Sequence, residues 1–359
     1  MERRIFLKNF SAGILATQLP FSIFSACSSA DNSFRDWAWT GAGKDLDPDD
    51  WRRQLEKWRG LGITGLNLSG GDLEKLLPVA DEEDFEIHSW IWVTCYPNKK
   101  VMEEHPEWYM VNGNGISCIK EPAYVDYYRW LCPTKPEVQE YIKKRVEDLL
   151  QYESLAAVHL DYIRYPDVIL PVNIQPRYNL VQDRELPEFD YCYCEDCRNA
   201  FKEKEGIDPL DLPDPAKNEE WRKFRLDSIV DLVNMLAETV HEAGKKLSAA
   251  VFPTPDIARN LVRQDWPRFN LDDIFPMMYH RDYREDVNWI GKTTHTDVQT
   301  IQGTSKNLYS GMIINSFPVE EVKQAIDLAF ENGAKGICIF GGVNDERRDI
   351  LRKALENHR

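Results

Sequence analysis

The chain is 359 residues long, 43% hydrophobic and 29% charged, a balance that argues against wholesale disorder; the length suits two ordinary domains or one large α/β barrel. With 60 acidic against 44 basic side chains the formal charge is -16, which argues against nucleic acid as a partner because phosphate binding needs a basic surface. The 11 Trp, 15 Tyr and 15 Phe are a generous supply: large aromatics usually serve the core, and a surplus on loops is what a sugar-binding cleft needs.

Residues 1–26 read as a secretory leader: basic Arg3, Arg4 and Lys8, an apolar stretch, then small residues before Cys27. The run Arg3-Arg4-Ile5-Phe6-Leu7-Lys8 resembles a twin-arginine export motif, and Phe24-Ser25-Ala26-Cys27 resembles a bacterial lipobox, in which cleavage leaves a lipid-bearing cysteine at the new N-terminus. A plain signal peptide with an incidental cysteine is the other reading. Gln18 and Pro20 interrupt the apolar run, which is too short to span a bilayer. Residues 27–33 form a polar tether. The mature chain is therefore expected in the cell envelope, touching membrane only through its N-terminal lipid, in a compartment where disulfides form.

Beyond the tether, short apolar runs alternate with helical patterns. The expected strands are Phe34–Thr40, Gly62–Leu68, Glu86–Val93, Ala156–Asp161, Lys246–Phe252, Asp273–Tyr279, Leu308–Ile314 and Lys335–Phe340. The clearest helical patterns are Asp49–Gly60, Lys135–Gln151, Asn218–Ala243, Pro318–Asn332 and Asp345–His358. Pro136 and Pro318 stand near helix starts, and Gly60, Gly244 and Gly333 follow helices. Eight β units, each followed by a helix or a helix-sized segment, predict a single (β/α)8 TIM barrel over residues 34–359. No mid-chain linker supports two doubly wound domains, and no internal repeat is visible. Long excursions after strand 3 (94–134) and strand 4 (162–217) fall on the face where barrel active sites are built.

The densest chemical signal is Val158-His159-Leu160-Asp161-Tyr162-Ile163-Arg164-Tyr165-Pro166. Strand alternation puts His159 and Asp161 on one side, so that both can point into the barrel mouth, with Asp161 at the carboxyl end of its strand. Arg164 could tune that carboxyl or grip a substrate oxygen; the plainer reading is an Asp–Arg pair holding the loop. Trp37 and Trp39 share a face of strand 1, and His88, Trp90 and Trp92 a face of strand 3. Only the last of each set is expected at the mouth, so Trp39 and Trp92 are the candidates for stacking on sugar, with core packing the alternative. Tyr279 and His280, after strand 6, could bond hydroxyl groups.

The block His159-Leu160-Asp161-Tyr162-Ile163-Arg164-Tyr165-Pro166, preceded by His105-Pro106-Glu107-Trp108 and Trp130-Leu131-Cys132-Pro133, resembles the glycoside hydrolase family 10-like group of bacterial envelope barrels. The resemblance runs from about Phe34 to the C-terminus and is densest over 85–166. It implies hydrolysis of O-glycosidic bonds in an oligo- or polysaccharide, with no cofactor required. Cellulase-like barrels carry Asn-Glu at strand 4 and Glu at strand 7, where this chain has Leu160-Asp161 and Ile314-Asn315. Family 18 enzymes carry Asp-x-Glu at strand 4, and Ile163 stands in place of that Glu. Glycosidases need two carboxyl groups. Asp161 is the first; Asp282 is the leading candidate for the second, followed by Asp256, Glu121 and the strand-4 insertion.

Seven cysteines follow Cys27. Three make the C-x-C-x-x-C run Cys192, Cys194, Cys197, a spacing that can ligate zinc with a fourth thiolate from Cys95, Cys118 or Cys132. It is similar to the structural zinc cluster of family 42 β-galactosidases. An oxidising compartment favours disulfides instead, and free thiols are the third reading. Each bonded arrangement would pin two long loops together, and none leaves the open position a catalytic metal needs. Two functional readings compete with the hydrolase: an inactive glycan-binding barrel lipoprotein, which would lack a partner carboxyl for Asp161, and a barrel isomerase or lyase, hinted at only by Phe340-Gly341-Gly342.

Overall fold

The computed structural model describes residues 35–43 and 46–359; the expected leader (1–26), the tether (27–33) and Cys27, the expected lipidation position, lie outside the described residues. Eight parallel strands close a barrel in chain order: β1 (Trp37–Gly41), β2 (Gly65–Ser69), β3 (Glu86–Trp92), β4 (Ala157–Asp161), β5 (Lys246–Val251), β6 (Asp273–Pro276), β7 (Asn307–Met312) and β8 (Gly336–Phe340). β8 returns to β1 with Trp37 opposite Cys338. This is the expected (β/α)8 barrel. Its helices are α1 (Pro48–Arg59), α2 (Leu73–Glu82), α3 (Lys99–Glu104), α4 (Pro136–Leu150), α5 (Glu195–Glu205), α6 (Glu219–Glu242), α7 (Pro255–Val262), α8 (Asn288–Thr300), α9 (Val322–Glu331) and α10 (Asp345–Glu356). No helix of the described residues is long and apolar enough to cross a membrane.

Local chemistry sets these boundaries. Asp47 and Asp50 form a reciprocal capping box at the start of α1, and Asn98 and Asn218 accept backbone N–H groups at the starts of α3 and α6. β6 stops at Pro276, three residues before the expected Tyr279, because proline brings no N–H to the ladder. α8 lacks a clean apolar period because the face it buries is partly polar: Thr293, Thr294 and Asp297 are buried, and Thr294 Oγ1 lies 2.9 Å from Ser310 Oγ on β7.

Two cores result. The larger lies between strands and helices. The smaller fills the barrel with Trp37, Trp39, Ala250, Phe275, Tyr309 and Cys338. Indoles fit inside because glycines face them. A Cβ on Gly65 would meet the Trp37 ring at 2.4 Å, and one on Gly311 would meet Trp39 at 2.7 Å. At the amino-terminal end of the strands a charged lattice closes the barrel: Glu86 is paired with Arg35 (3.2 Å) and Lys246 (2.9 Å) and bonded to His88 (3.2 Å).

At the opposite end the two insertions pack on each other. An antiparallel bridge joins Asn112 to Tyr191. The strand-4 insertion is also held from below: Asp190 pairs with buried Arg225 of α6, Glu185 with buried Arg263 after α7, and Tyr193 donates to Asp190 at 2.6 Å. Removing one partner of such a buried pair costs about 3–5 kcal/mol, so these contacts fix the insertion in place.

Candidate functional site

A cavity of about 360 Å³, within the size range of small-molecule sites, opens at the carboxyl ends of the strands beneath the insertions. It is lined by Trp39, Trp90 and Trp92 from β1 and β3, Asp161 from β4, Tyr279 and Asp282 after β6, and Tyr124, Tyr127, Tyr128, Arg177 and Tyr178 from the insertions.

Asp161 is gripped on both carboxylate oxygens. Oδ1 accepts the Tyr162 N–H at 2.6 Å, and Oδ2 accepts the Trp90 indole N–H at 3.1 Å. Tyr162 itself takes a left-handed conformation (φ 49°), which costs on the order of 1–2 kcal/mol. That turn is held by bonds from the Thr94 amide and hydroxyl to the Tyr162 carbonyl. Burial raises the Asp161 pKa; the Tyr162 amide, the Arg164 charge and the Trp90 indole each pull it back. Asp282 lies on the 3-10 turn His280–Tyr283 and lines the same cavity. Among the described residues no donor bonds its carboxyl. Burial raises its pKa as well, opposed by the charge of Arg177.

The other candidate carboxyls stay away. Asp256 is 91% exposed at its side chain, facing Arg259, and Glu121 is exposed in a turn; neither lines the cavity. His280 is buried outside the lining, stacked on Phe317 at 4.8 Å. Trp92 lines the cavity, packed against Tyr162 (4.8 Å) and Tyr127 (5.8 Å). Tyr279 lines it beside Phe340. Arg164 touches the cavity, but its donors are engaged by Asp167 (3.1 Å), the Tyr165 carbonyl (2.9 Å) and Tyr128 (3.5 Å). The loop-holding pair is therefore Arg164–Asp167.

Two expectations change. Trp90 is not confined to the core: its indole reaches up from the layer below Asp161 to bond that carboxylate. His159 does not reach the mouth. It is fully buried one layer down, in a chain of bonds whose direction is set by the indole at its head. Trp39 Nε1–H can only donate, so His159 Nε2 accepts (2.9 Å) and Nδ1 carries the proton to Ser248 Oγ (2.9 Å). Ser248 can then donate to His88 Nδ1 (3.0 Å), leaving His88 Nε2–H for Glu86. Burial and the neighbouring His88 hold the His159 pKa well below its usual value, which keeps it a neutral acceptor. The Trp39 indole is thereby oriented at the cavity.

Strand alternation and strand-end position were enough to find Asp161. Trp90, Asp167, Arg177, Tyr178 and Tyr124 escaped sequence reasoning; only the Arg164–Asp167 spacing of three residues carried any local signal.

Beside the cavity, the two insertions meet in a buried cluster of Cys132, Cys192, Cys194 and Cys197, with all four sulfurs within 4.8 Å of one another. The fourth member is Cys132; Cys95 and Cys118 lie against the carbonyls of Tyr127 and Trp130 instead. None of the seven cysteines of the described residues is joined in a disulfide. Cys132 Sγ is 3.4 Å from Cys197 Sγ and 3.7 Å from Cys194 Sγ, far beyond a disulfide bond and close to the roughly 3.8 Å edge of a tetrahedron with 2.3 Å Zn–S bonds. Backbone N–H groups of Val111 and Cys194 point at Cys192 Sγ (both 3.5 Å), while burial and the neighbouring thiols push the Cys192 thiol well above its usual range. This four-sulfur cluster could hold a structural zinc.

The family model for glycosyl hydrolase-like 10 matches residues 51–327, and the chain belongs to this family. No curated protein matches it at a significant level. Among solved structures it is similar to the GH36 alpha-galactosidase AgaB from Geobacillus stearothermophilus (10% identity, TM-score 0.52, 91% of this chain and 41% of that one). It is also similar to the galactosidase domain of the alpha-galactosidase-sucrose kinase AgaSK (10% identity, TM-score 0.53, 90% and 40%). A third similar structure is the noncanonic maltogenic alpha-amylase AmyB from Thermotoga neapolitana (11% identity, TM-score 0.47, 90% and 76%). The chain spans about two fifths of the length of the two galactosidase chains, and at these identities the likeness concerns the barrel fold.

Proposed function

We propose that this member of the glycosyl hydrolase-like 10 family is an exported glycoside hydrolase that cleaves O-glycosidic bonds of an oligo- or polysaccharide. The carrying observation is the pair Asp161 and Asp282: two carboxyl groups in one aromatic-lined cavity, both raised by burial, in different hydrogen-bonding environments. Asp161, with an N–H donor on each oxygen, is suited to act ionised, as nucleophile or base. Asp282, desolvated and without a donor, is suited to hold a proton and deliver it to the leaving oxygen. Trp39, Trp92 and Tyr279 offer the faces and hydroxyl a sugar ring needs. Arg164 supports this wall through Asp167.

A reducing-sugar and product screen across plant, host and cell-wall glycans tests the reading, with Asp161→Asn as control. Hydrolysis by the wild type and its loss in the variant are expected. Unchanged hydrolysis in Asp161→Asn would overturn the assigned role; binding without hydrolysis of any glycan would favour an inactive glycan-binding barrel.

On the same reading residues 1–26 are an export leader, 27–33 a tether, and Cys27 the lipidated residue that anchors the barrel to the cell envelope. Fatty-acid labelling that persists in Cys27→Ser would overturn that anchor. The four-cysteine cluster would hold zinc, which there supplies a structural cross-link between the insertions and no chemistry at the cavity. Metal analysis of the purified protein, comparing wild type with Cys132→Ser, tests it.

A further inference from the structure

We infer that Arg177 is an anion-binding subsite at the cavity, and that the glycan filling it carries a carboxylate group there. This rests on the glycan-cleaving reading of the same cavity and names a class of substrate for it.

Two cations line the cavity. Arg164 is buried and fully engaged by Asp167, Tyr165 and Tyr128. Arg177 is exposed, and among the described residues its guanidinium has neither ion pair nor hydrogen bond. Its charge reaches Asp282, which does not bond to it. An unpaired arginine is notable in a cavity that also holds Asp161, Asp167 and Asp282, in a chain of net charge -16.

The backbone beneath Arg177 is firmly built. Arg177 sits on the 3-10 turn Gln175–Tyr178, which Asn179 closes in a left-handed conformation. Two buried glutamines lock that turn. The Gln182 amide donates to Gln175 Oε1 (2.8 Å), Gln175 Nε2 donates to the Leu170 carbonyl (2.9 Å), and the Leu170 amide donates to Gln182 Oε1 (2.9 Å). Gln182 Nε2 also donates to Tyr124 of the strand-3 insertion at 2.9 Å, and the Asn173 amide donates to the Asp282 carbonyl at 2.9 Å. The segment is thus tied at once to the other insertion and to the turn that carries Asp282. It presents a planar five-donor fork beside the proposed proton donor, the geometry that grips a carboxylate through two parallel bonds. A neutral sugar would make no charge-assisted bond to that fork, and a carboxylate without it would face the ionised Asp161 with no cation of its own.

The test uses the full chain carrying Asp161→Asn, so that probes are bound and not turned over. Matched probes differ only in the acid: galacturonate against galactose oligosaccharides for a uronate source, and N-acetylmuramic acid against N-acetylglucosamine oligosaccharides for an ether-linked acid. One acidic member is expected to bind about tenfold tighter than its neutral partner. That advantage should shrink with added salt and fall to about twofold or less in Arg177→Gln, with neutral binding unchanged. Equal binding of acidic and neutral members, or equal weakening of both in Arg177→Gln, overturns the inference. Wild-type cleavage of neutral glycans with no preference for acidic ones also overturns it while leaving the hydrolase standing. Arg177-dependent binding of acidic glycans without any hydrolysis supports the subsite and overturns the hydrolase.

Discussion

The two ends of the barrel are built from the same residue types and treat them in opposite ways. At the amino-terminal end Glu86 is partly buried and surrounded by His88, Lys246 and Arg35. Burial acts to raise its pKa, but the bond to His88 and the charges of His88 and Lys246 outweigh it and hold the carboxyl far below its usual range. At the carboxyl end Asp161 and Asp282 are also desolvated, yet among the described residues neither is in an ion pair; the more distant charges of Arg164 and Arg177 do not outweigh burial, and the pKa values of both carboxyls move up. The lesson is that burial alone does not mark a chemical site. A buried carboxyl with its cation is a structural fastener; one left with neutral donors, or with none, is held above its usual range and is a candidate for proton transfer.

The largest expected effect sets Asp161→Asn against Glu86→Gln. The first should lower turnover by about 10³-fold or more with little loss of fold. The second should cost about 2 kcal/mol, less than a fully buried pair because Glu86 keeps some solvent, with activity per folded molecule unchanged. Steady-state kinetics and denaturant melts on both variants check this, and a Glu86→Gln enzyme that folds normally but has lost turnover would break the comparison.

Asp282→Asn should lower turnover by about 10²–10⁴-fold on natural leaving groups and far less on activated aryl glycosides, which need no proton. It should also sharpen the contrast through stability. A carboxyl whose pKa is raised on folding favours the folded state fully only below its unfolded pKa, and that contribution is lost as pH rises through the folded value. Replacing Asp282 should therefore raise the melting temperature at pH 7 and not at pH 3. Glu86, lowered on folding, runs the other way: its contribution is present above its unfolded pKa and lost as pH falls, so Glu86→Gln should cost least in acid. Thermal melts of both variants across pH read the two signs.

The mouth depends on its insertions in a way the opposite end does not. Cys132→Ser, or zinc removal by a chelator, should cost on the order of 2 kcal/mol, a few degrees of melting temperature, and weaken glycan binding, with zinc restoring the wild type only. The smallest effect on activity is expected for His159→Phe. Leaving the buried Trp39 indole and Ser248 without their partner should cost about 1–3 kcal/mol and raise KM several-fold with kcat nearly kept. A change confined to kcat would show that His159 acts on the chemistry and not on Trp39.

Much of this was legible in the chain. All eight strands could be read from short apolar runs, although their ends moved by a few residues where Pro276 or a turn intervened. Five helices, α2, α3, α5, α7 and α8, were not singled out, the last because it buries threonines and an aspartate in place of an apolar stripe. Asp161 was visible because alternation and strand-end position are local properties. Trp90 was misjudged because its depth in the barrel was read without the reach of an indole.

The sequence by itself determined the alternation of strands and helices, hence the barrel, the face that carries the insertions, and the strand end on which Asp161 stands. Only the tertiary structure decided that Asp282 and not Asp256 or Glu121 shares its cavity. It also decided that Cys132 completes the sulfur cluster, that Arg164 belongs to Asp167, and that Arg177 has no partner among the described residues. The physical reason is one of range. Period and capping act over a few residues, whereas a cation, a thiol or a carboxyl takes its role from whichever groups the closed barrel and its two locked insertions bring within a few ångströms.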